Sequence, residues 1–368
     1  MSYLIILNYI YINFLIQTSN TKYVNFLVVS FSIFITFFIA FRYEVGGDWF
    51  TYRINYDLIA DKDFFKSLKA HSSKIVILII YYTKNLIVFK ETLILGILFS
   101  FFYLKYLIST KFFFLSAFIT FPVFLILAGM GYVHQGVATV VCWQVLINYQ
   151  KRSITEIVGY LIFGTLIHLS ALIFIFLLIP KLMKKENIID EIWKFFEKFF
   201  PYFILIAVIL VQFLNINPFE DLFESVLVKF FYYLMDDYYK SDGTIIRMAL
   251  YIPVIYILLK TNLNFFKNEK NVDLINLLKV SGLVMLLTII LSLLFRGSLN
   301  FAFVDRIFIS MIFIQVLITN IYYEQFKLKD NILVDILIYF LPLLYTVLWV
   351  NFSRYSAWWL PYNNFFIQ

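Results

Sequence analysis

A chain of 368 residues with 62% hydrophobic and only 14% charged side chains, at a mean hydropathy of +0.85, cannot hide its apolar surface in a soluble core and is too poor in charge to be disordered. The formal net charge of +7 does not mark a nucleic-acid binder, because the lysines fall mostly in short connections, as cytoplasmic retention of Lys and Arg predicts. What remains is an integral membrane protein, and its one cysteine, Cys142, inside an apolar run, excludes an intramolecular disulfide or a cysteine metal cluster.

The apolar residues come in runs of about 15 to 22, close to the roughly 20 that a helix needs to cross the hydrocarbon layer. They do not alternate with polar residues as the strands of a membrane barrel would. The expected fold is therefore all-α, a polytopic helical bundle of about 12 transmembrane helices, within about 11–14. The segment from Met1 to Leu15 lacks the basic start and small-residue cleavage site of a signal peptide, and is read as a retained first span. In chain order the expected spans cover 3–17, 23–41, 74–89, 92–109, 112–128, 136–149, 154–180, 199–214, 245–260, 274–295, 304–323 and 332–350. No internal repeat or soluble domain separates them, so 1–368 is taken as a single transmembrane domain with outer loops at about 42–73 and 215–244.

Topology follows from charge. Lys181, Lys184, Lys185, Lys194 and Lys198 mark a cytoplasmic connection, which puts the acidic 215–244 loop outside. Upstream, Lys151 and Arg152 precede the 154–180 run and the Lys cluster follows it. One long crossing, the preferred reading, places 42–73 outside; a hairpin broken near His168 keeps both basic ends inside and places 42–73 in the cytoplasm.

Three places carry candidate chemistry. Directly after the second span, Arg42, Glu44, Asp48, Tyr52 and Arg53 set both signs of charge at the membrane surface around Gly46 and Gly47, with Tyr43, Trp49 and Phe50 as a possible aromatic belt. Next, Gly129, Gly131 and Gly136 interrupt the apolar pattern around His134 and Gln135, either a tight turn or broken backbone lining a cavity. Third, His168, followed by Ser170, is a titratable group in mid-run, a candidate site residue or a satisfied buried histidine. Arg296, Arg306 and Arg354 fall near the ends of late spans, with Asp305 beside Arg306. Arginine suits a diphosphate because it is permanently charged and forked, but a snorkelling anchor at a helix end is the plainer reading, most of all for Arg247. Phosphate-loop, His-Glu-x-x-His and Gly-x-Ser-x-Gly patterns are all missing. Two intramembrane histidines without a third ligand make a poor metal site, and none is expected.

These residues resemble the EpsG-type, Wzy-like polysaccharide polymerases of bacterial envelopes. That family has an Arg-x-x-x-Gly-x-Asp-x-x-x-Tyr element after an early span, matched here by Arg42, Gly47, Asp48 and Tyr52 with the Arg42–Gly47 spacing one residue longer. A family-like Arg-Gln pair and a later His-x-Ser/Thr-Ala are matched by His134-Gln135, with His for Arg, and by His168, Ser170 and Ala171. Asp305-Arg306 and the aromatic end Trp358, Trp359, Leu360, Pro361 and Tyr362 are similar too.

The resemblance implies a multi-pass protein of the bacterial cytoplasmic (inner) membrane that joins undecaprenyl-diphosphate-linked oligosaccharides by glycosyl transfer at the outer face, extending a capsule, exopolysaccharide or O-antigen. It implies no nucleotide sugar and no cofactor. A chain-length regulator and a flippase would be its working partners. Asp48, Glu44 or His168 would act on the acceptor hydroxyl; Arg42, Arg296 and Arg306 would hold diphosphate; Gly47, Tyr52, His134 and Gln135 would help bind substrate. Tyr52 and Trp49 are candidates to stack on sugar rings. Two rival classes share the general architecture: a flippase for the same lipid-linked sugars, which should show two related halves, and a membrane acyltransferase using an intramembrane histidine as base.

Overall fold

The computed structural model describes residues 2–19, 23–60, 64, 67, 73–83, 90–182, 243–260, 272–296, 302–325, 332–353 and 356–364. Among these the regular structure is helical, apart from one isolated antiparallel bridge between Arg42 and Asn364. Four helices are long and apolar enough to cross a membrane, at Thr92–Ser109, Phe113–Gly131, Val304–Glu324 and Leu333–Phe352, and further apolar helices of 10–17 residues accompany them. The protein is thus an all-helical, multi-pass membrane protein. The expected span 199–214 and nearly all of the 215–244 loop lie outside the described residues.

Two compact units are present, one of Met1–Ile175 with Gln315–Gln368 and one of Phe176–Ile314. In the first, α1 (Ser2–Ser19) and α2 (Val24–Ala40) are followed by the loop 41–48, α3 (Trp49–Ala60), α4 (Lys74–Thr83) and α5 (Lys90–Ile108). The buried residues of α2, Phe31, Ile35, Phe38 and Ile39, recur at helical spacing. α5 packs against α2, and the backbones approach so closely that a Cβ on Gly96 would fall 2.7 Å from Ala40 Cα.

The centre of this unit is α6 (Phe113–Thr120), which runs without a break into a π-helix, Phe121–Gly131, and every residue of both is buried. Pro122 stands at the second residue of the π segment, where its missing N–H takes one bond out of the continuous ladder as the helix changes from α to π. At its end the Tyr132 N–H reaches back to the Leu127 carbonyl at 2.8 Å, a π-type bond. The start of α6 is capped from a distance: the Phe112 N–H donates to Asn320 Oδ1 at 2.8 Å and the Phe114 N–H to Gln17 Oε1 at 3.2 Å. Lys111 pairs with Glu324 at the same end of the unit.

α7 (Val133–Trp143) packs on α5 and on α8 (Ile154–Ile167), which opens with a Ser153–Glu156 capping box. The expected continuous crossing over 154–180 is absent. α8 ends at His168, whose extended backbone (φ −157°, ψ 134°) leads into a 3₁₀ segment, Leu169–Leu178, and then α9 (Ile179–Leu182). A Cβ on Gly164 would lie 3.1 Å from Ala171 Cβ, whereas seven residues of continuous helix would separate them by about 10 Å. The chain therefore turns back at His168.

The second unit, which begins within the 3₁₀ segment, contains α9, α10 (Thr244–Ala249), α11 (Ile252–Lys260), α12 (Val272–Arg296) and α13 (Ala302–Ser310). Tyr251, Val304 and Phe308 form its described core with Met248, Met285 and Ile289. α14 (Phe313–Gln325) and α15 (Ile332–Phe352) lead to the C-terminal segment.

Candidate functional site

Three stretches far apart in sequence meet at the end of the first unit opposite Lys111: the loop after α2, the glycine-rich junction between the π-helix and α7, and the chain beyond α15. The Tyr43 N–H donates to the Asn363 carbonyl at 3.1 Å and the Gly46 N–H to the Trp358 carbonyl at 2.8 Å. Tyr362 closes the other flank, donating its hydroxyl to the Phe38 carbonyl at 2.6 Å and stacking on Phe38 with centroids 4.4 Å apart. Tyr3 reaches in from α1, its hydroxyl donating to the Trp359 carbonyl at 3.0 Å.

Glycines let these strands of chain touch. Gly46 has φ +109°, and a Cβ on it would stand 2.2 Å from the Met130 carbonyl oxygen. A Cβ on Gly131 would meet the Trp359 ring at 2.9 Å, and one on Gly136 the Ala128 carbonyl oxygen at 2.4 Å. The glycine whose conformation the turn requires is thus Gly46. With Gly46 in the motif position, Arg42-x-x-x-Gly46-x-Asp48-x-x-x-Tyr52 has the family spacing without the extra residue. Gly47 has a different task, lying under the Trp358 and Trp359 rings, both 3.2 Å from where its Cβ would be.

Arg42 follows the last turn of α2 and is buried. Its Nη1 donates to the Ile39 carbonyl at 2.8 Å and its Nε to the Val45 carbonyl at 3.2 Å, so one cation serves both the helix C-terminus and the loop. Its Nη2 is buried and finds no hydrogen-bond partner among the described residues. Burial draws the guanidinium down to about 10, against which the nearby hydroxyls of Tyr52, Tyr362 and Tyr3 act. It remains a cation at neutral pH.

Asp48 immediately precedes α3, at the positive end of the helix dipole. Tyr52, one turn on, donates its hydroxyl to Asp48 Oδ2 at 3.2 Å, and its ring stacks on His134 with centroids 4.3 Å apart and planes at 25°. Asp48 and His134 are half-buried, Tyr52 and Gln135 buried. Glu44 is exposed on the same loop with φ 54°. Tyr52 and Trp49, expected to stack on sugars, are 7% and 1% exposed, so their rings are already covered by protein.

The structure therefore brings Arg42, Gly47, Asp48, Tyr52, His134 and Gln135 into one end of one unit, with Glu44 on its rim. His168 is used locally at its helix break: Nδ1 accepts from the Ser170 N–H at 3.2 Å and lies 2.8 Å from Ser170 Oγ. Arg306 is half-buried on α13 of the second unit. Arg296 ends α12 with its side chain outside the described residues, as is Arg354. Arg247 is not a snorkelling anchor: it is 7% exposed and forms a bidentate ion pair with Asp305, Nη2 to Oδ2 at 2.7 Å and Nε to Oδ1. Gly243 makes room for this guanidinium, since a Cβ there would lie 2.5 Å from Nη1. Of the C-terminal clamp, Trp358, Trp359 and Tyr362 were signalled in the sequence by the family resemblance of the aromatic end, whereas Tyr3 had no signal beyond its residue type. Among the described residues no group of three or more His, Cys, Asp or Glu is placed to hold a metal ion.

The sequence model of one family, described as the EpsG family, matches residues 25–364. That range takes in both the loop after α2 and the C-terminal segment that clamps it. No curated protein and no solved structure matches the chain.

Proposed function

The chain belongs to the EpsG family, whose members have a role in polysaccharide biosynthesis, and from that premise we propose that it is a polymerase joining lipid-diphosphate-linked oligosaccharide repeats by glycosyl transfer. The observation that carries this is the meeting of Asp48, Tyr52 and His134 beside the buried Arg42 at one end of a helical unit. In the reaction the acceptor hydroxyl attacks the anomeric carbon of the donor chain, the bond from that carbon to the diphosphate oxygen breaks, and lipid diphosphate departs. A base must take the hydroxyl proton and a cation must meet the developing diphosphate charge.

Asp48 suits the first task, being half-buried and held by Tyr52 while retaining acceptor capacity on its carboxylate. The stacked His134 limits how Tyr52 can move and so keeps Asp48 oriented. Arg42, itself 2% exposed, suits the second task by the field of its charge rather than by contact, with the Ile39 and Val45 carbonyls holding the guanidinium in place. Arg296 and Arg306, on α12 and α13, are further candidates to bind diphosphate. Glu44 and His168 serve as the alternative bases, and Gly47 and Gln135 as substrate contacts. About a dozen crossings of the bacterial inner membrane complete the proposal, with the Asp48 end at the outer face as the family resemblance implies, against the charge rule, which with a turn at His168 puts that end inside.

Reconstitution tests it. Purified full-length protein in liposomes, given only lipid-linked repeats and no nucleotide sugar, should produce a ladder of multiples and release lipid diphosphate. Repeats that stay single while moving between leaflets would instead indicate a flippase, and repeats modified only when an acyl donor is added would indicate an acyltransferase.

A further inference from the structure

A polymerase has to present a sugar ring at a fixed distance from its base, and rings are commonly held by CH–π contact with an exposed aromatic face. Of the aromatic side chains clamped around the Asp48 loop, Trp49, Trp359 and Tyr52 are 1%, 3% and 7% exposed and cannot offer one. Trp358 is 53% exposed. Its backbone is tied to the loop, because its carbonyl accepts the Gly46 N–H at 2.8 Å, and its ring lies over Gly47, the residue before Asp48, with Cε3 3.2 Å from the Cβ position there. Resting on a residue without a side chain, the indole sits closer to the loop than any other residue at position 47 would allow. We propose that Trp358 is the platform on which a sugar ring of the acceptor repeat stacks beside Asp48, an inference that rests on the polymerase reading above.

Phe50 is the other large exposed aromatic near the loop, at 55%, on the first turn of α3. Its ring meets the neighbouring Trp49 edge-on, and among the described residues no backbone bond ties it to the C-terminal segment. It serves as the control for exposure alone.

The test uses the purified full chain in detergent, where anchoring in a bilayer plays no part, and the oligosaccharide repeat released by mild acid from the host strain's lipid-linked pool. Wild type should show a saccharide-dependent change in tryptophan fluorescence. Trp358→Phe, which keeps a ring and so preserves packing on Gly47, should abolish that change, and Trp358→Ala should weaken binding measured by calorimetry about tenfold, roughly 1.4 kcal/mol. Phe50→Ala should bind as wild type does. Should Trp358→Ala fail to fold, the Trp358→Phe fluorescence result decides alone. An unaltered fluorescence response in Trp358→Phe, or wild-type affinity in a folded Trp358→Ala, overturns the platform. If the same wild-type preparation does not polymerise lipid-linked repeats, it is the polymerase reading that falls.

Discussion

Replacing Gly46 with alanine tests how the site is assembled, because two independent costs fall on one methyl group. Its Cβ would stand 2.2 Å from the Met130 carbonyl oxygen and 3.0 Å from the carbonyl carbon, about 1 Å short of ordinary contact. Its φ of +109° lies where an L-residue is strained by about 1–3 kcal/mol. Met130 belongs to the wholly buried π-helix and has no room to yield, so the loop must move. Asp48 is only two residues on, and a displacement of about 1 Å at a reacting group costs roughly a hundredfold in rate. Gly46→Ala should therefore lower polymer formation by that order in the liposome assay and reduce stability by about 3 kcal/mol in thermal unfolding in detergent. Gly47→Ala meets only aromatic side chains, at 3.2 Å, and should have a much smaller effect on stability. Wild-type rate and stability in Gly46→Ala would refute the placement of the loop against Met130.

Three further outcomes are expected in thermal unfolding of the purified protein. Arg247→Ala leaves Asp305 buried without its partner and should cost about 3–5 kcal/mol, much of it recovered in the double variant Arg247→Met/Asp305→Leu. Tyr362→Phe removes the hydrogen bond to the Phe38 carbonyl but keeps the stacked ring, and should cost about 1 kcal/mol. Gly159→Ala, on the exposed side of α8 with nothing within 4 Å of its Cβ position, should be neutral or stabilise by up to about 1 kcal/mol.

What was legible in the sequence was local. Apolar runs located most of the described helices, because each depends on a stretch of about 20 residues. Arg42, Asp48 and Tyr52 stood out because charge at a span end is costly, and the Asp48–Tyr52 geometry follows from one turn of helix at the start of α3. The stacking of Tyr52 on His134, and the clamp of Trp358 and Tyr362 on the Gly46 loop, join residues roughly 80 to 320 positions apart, which no periodicity encodes. The π-helix was hidden because its composition is that of any apolar span. The break at His168 was one of two readings that charge allowed, and packing decided it: Gly164 lets Ala171 close against α8. Arg247 was misjudged because its partner, Asp305, lies 58 residues away, and a lone arginine near a span end has no visible counter-ion.

The most direct measurement is a gel of cell-surface glycan from a deletion strain complemented with wild type or with Asp48→Ala. The account predicts single-repeat glycan in the deletion, a full ladder restored by wild type, and single repeats persisting with Asp48→Ala at equal protein level. A ladder restored in full by Asp48→Ala would contradict the role given to Asp48, and an intact ladder in the deletion itself would contradict polymerisation.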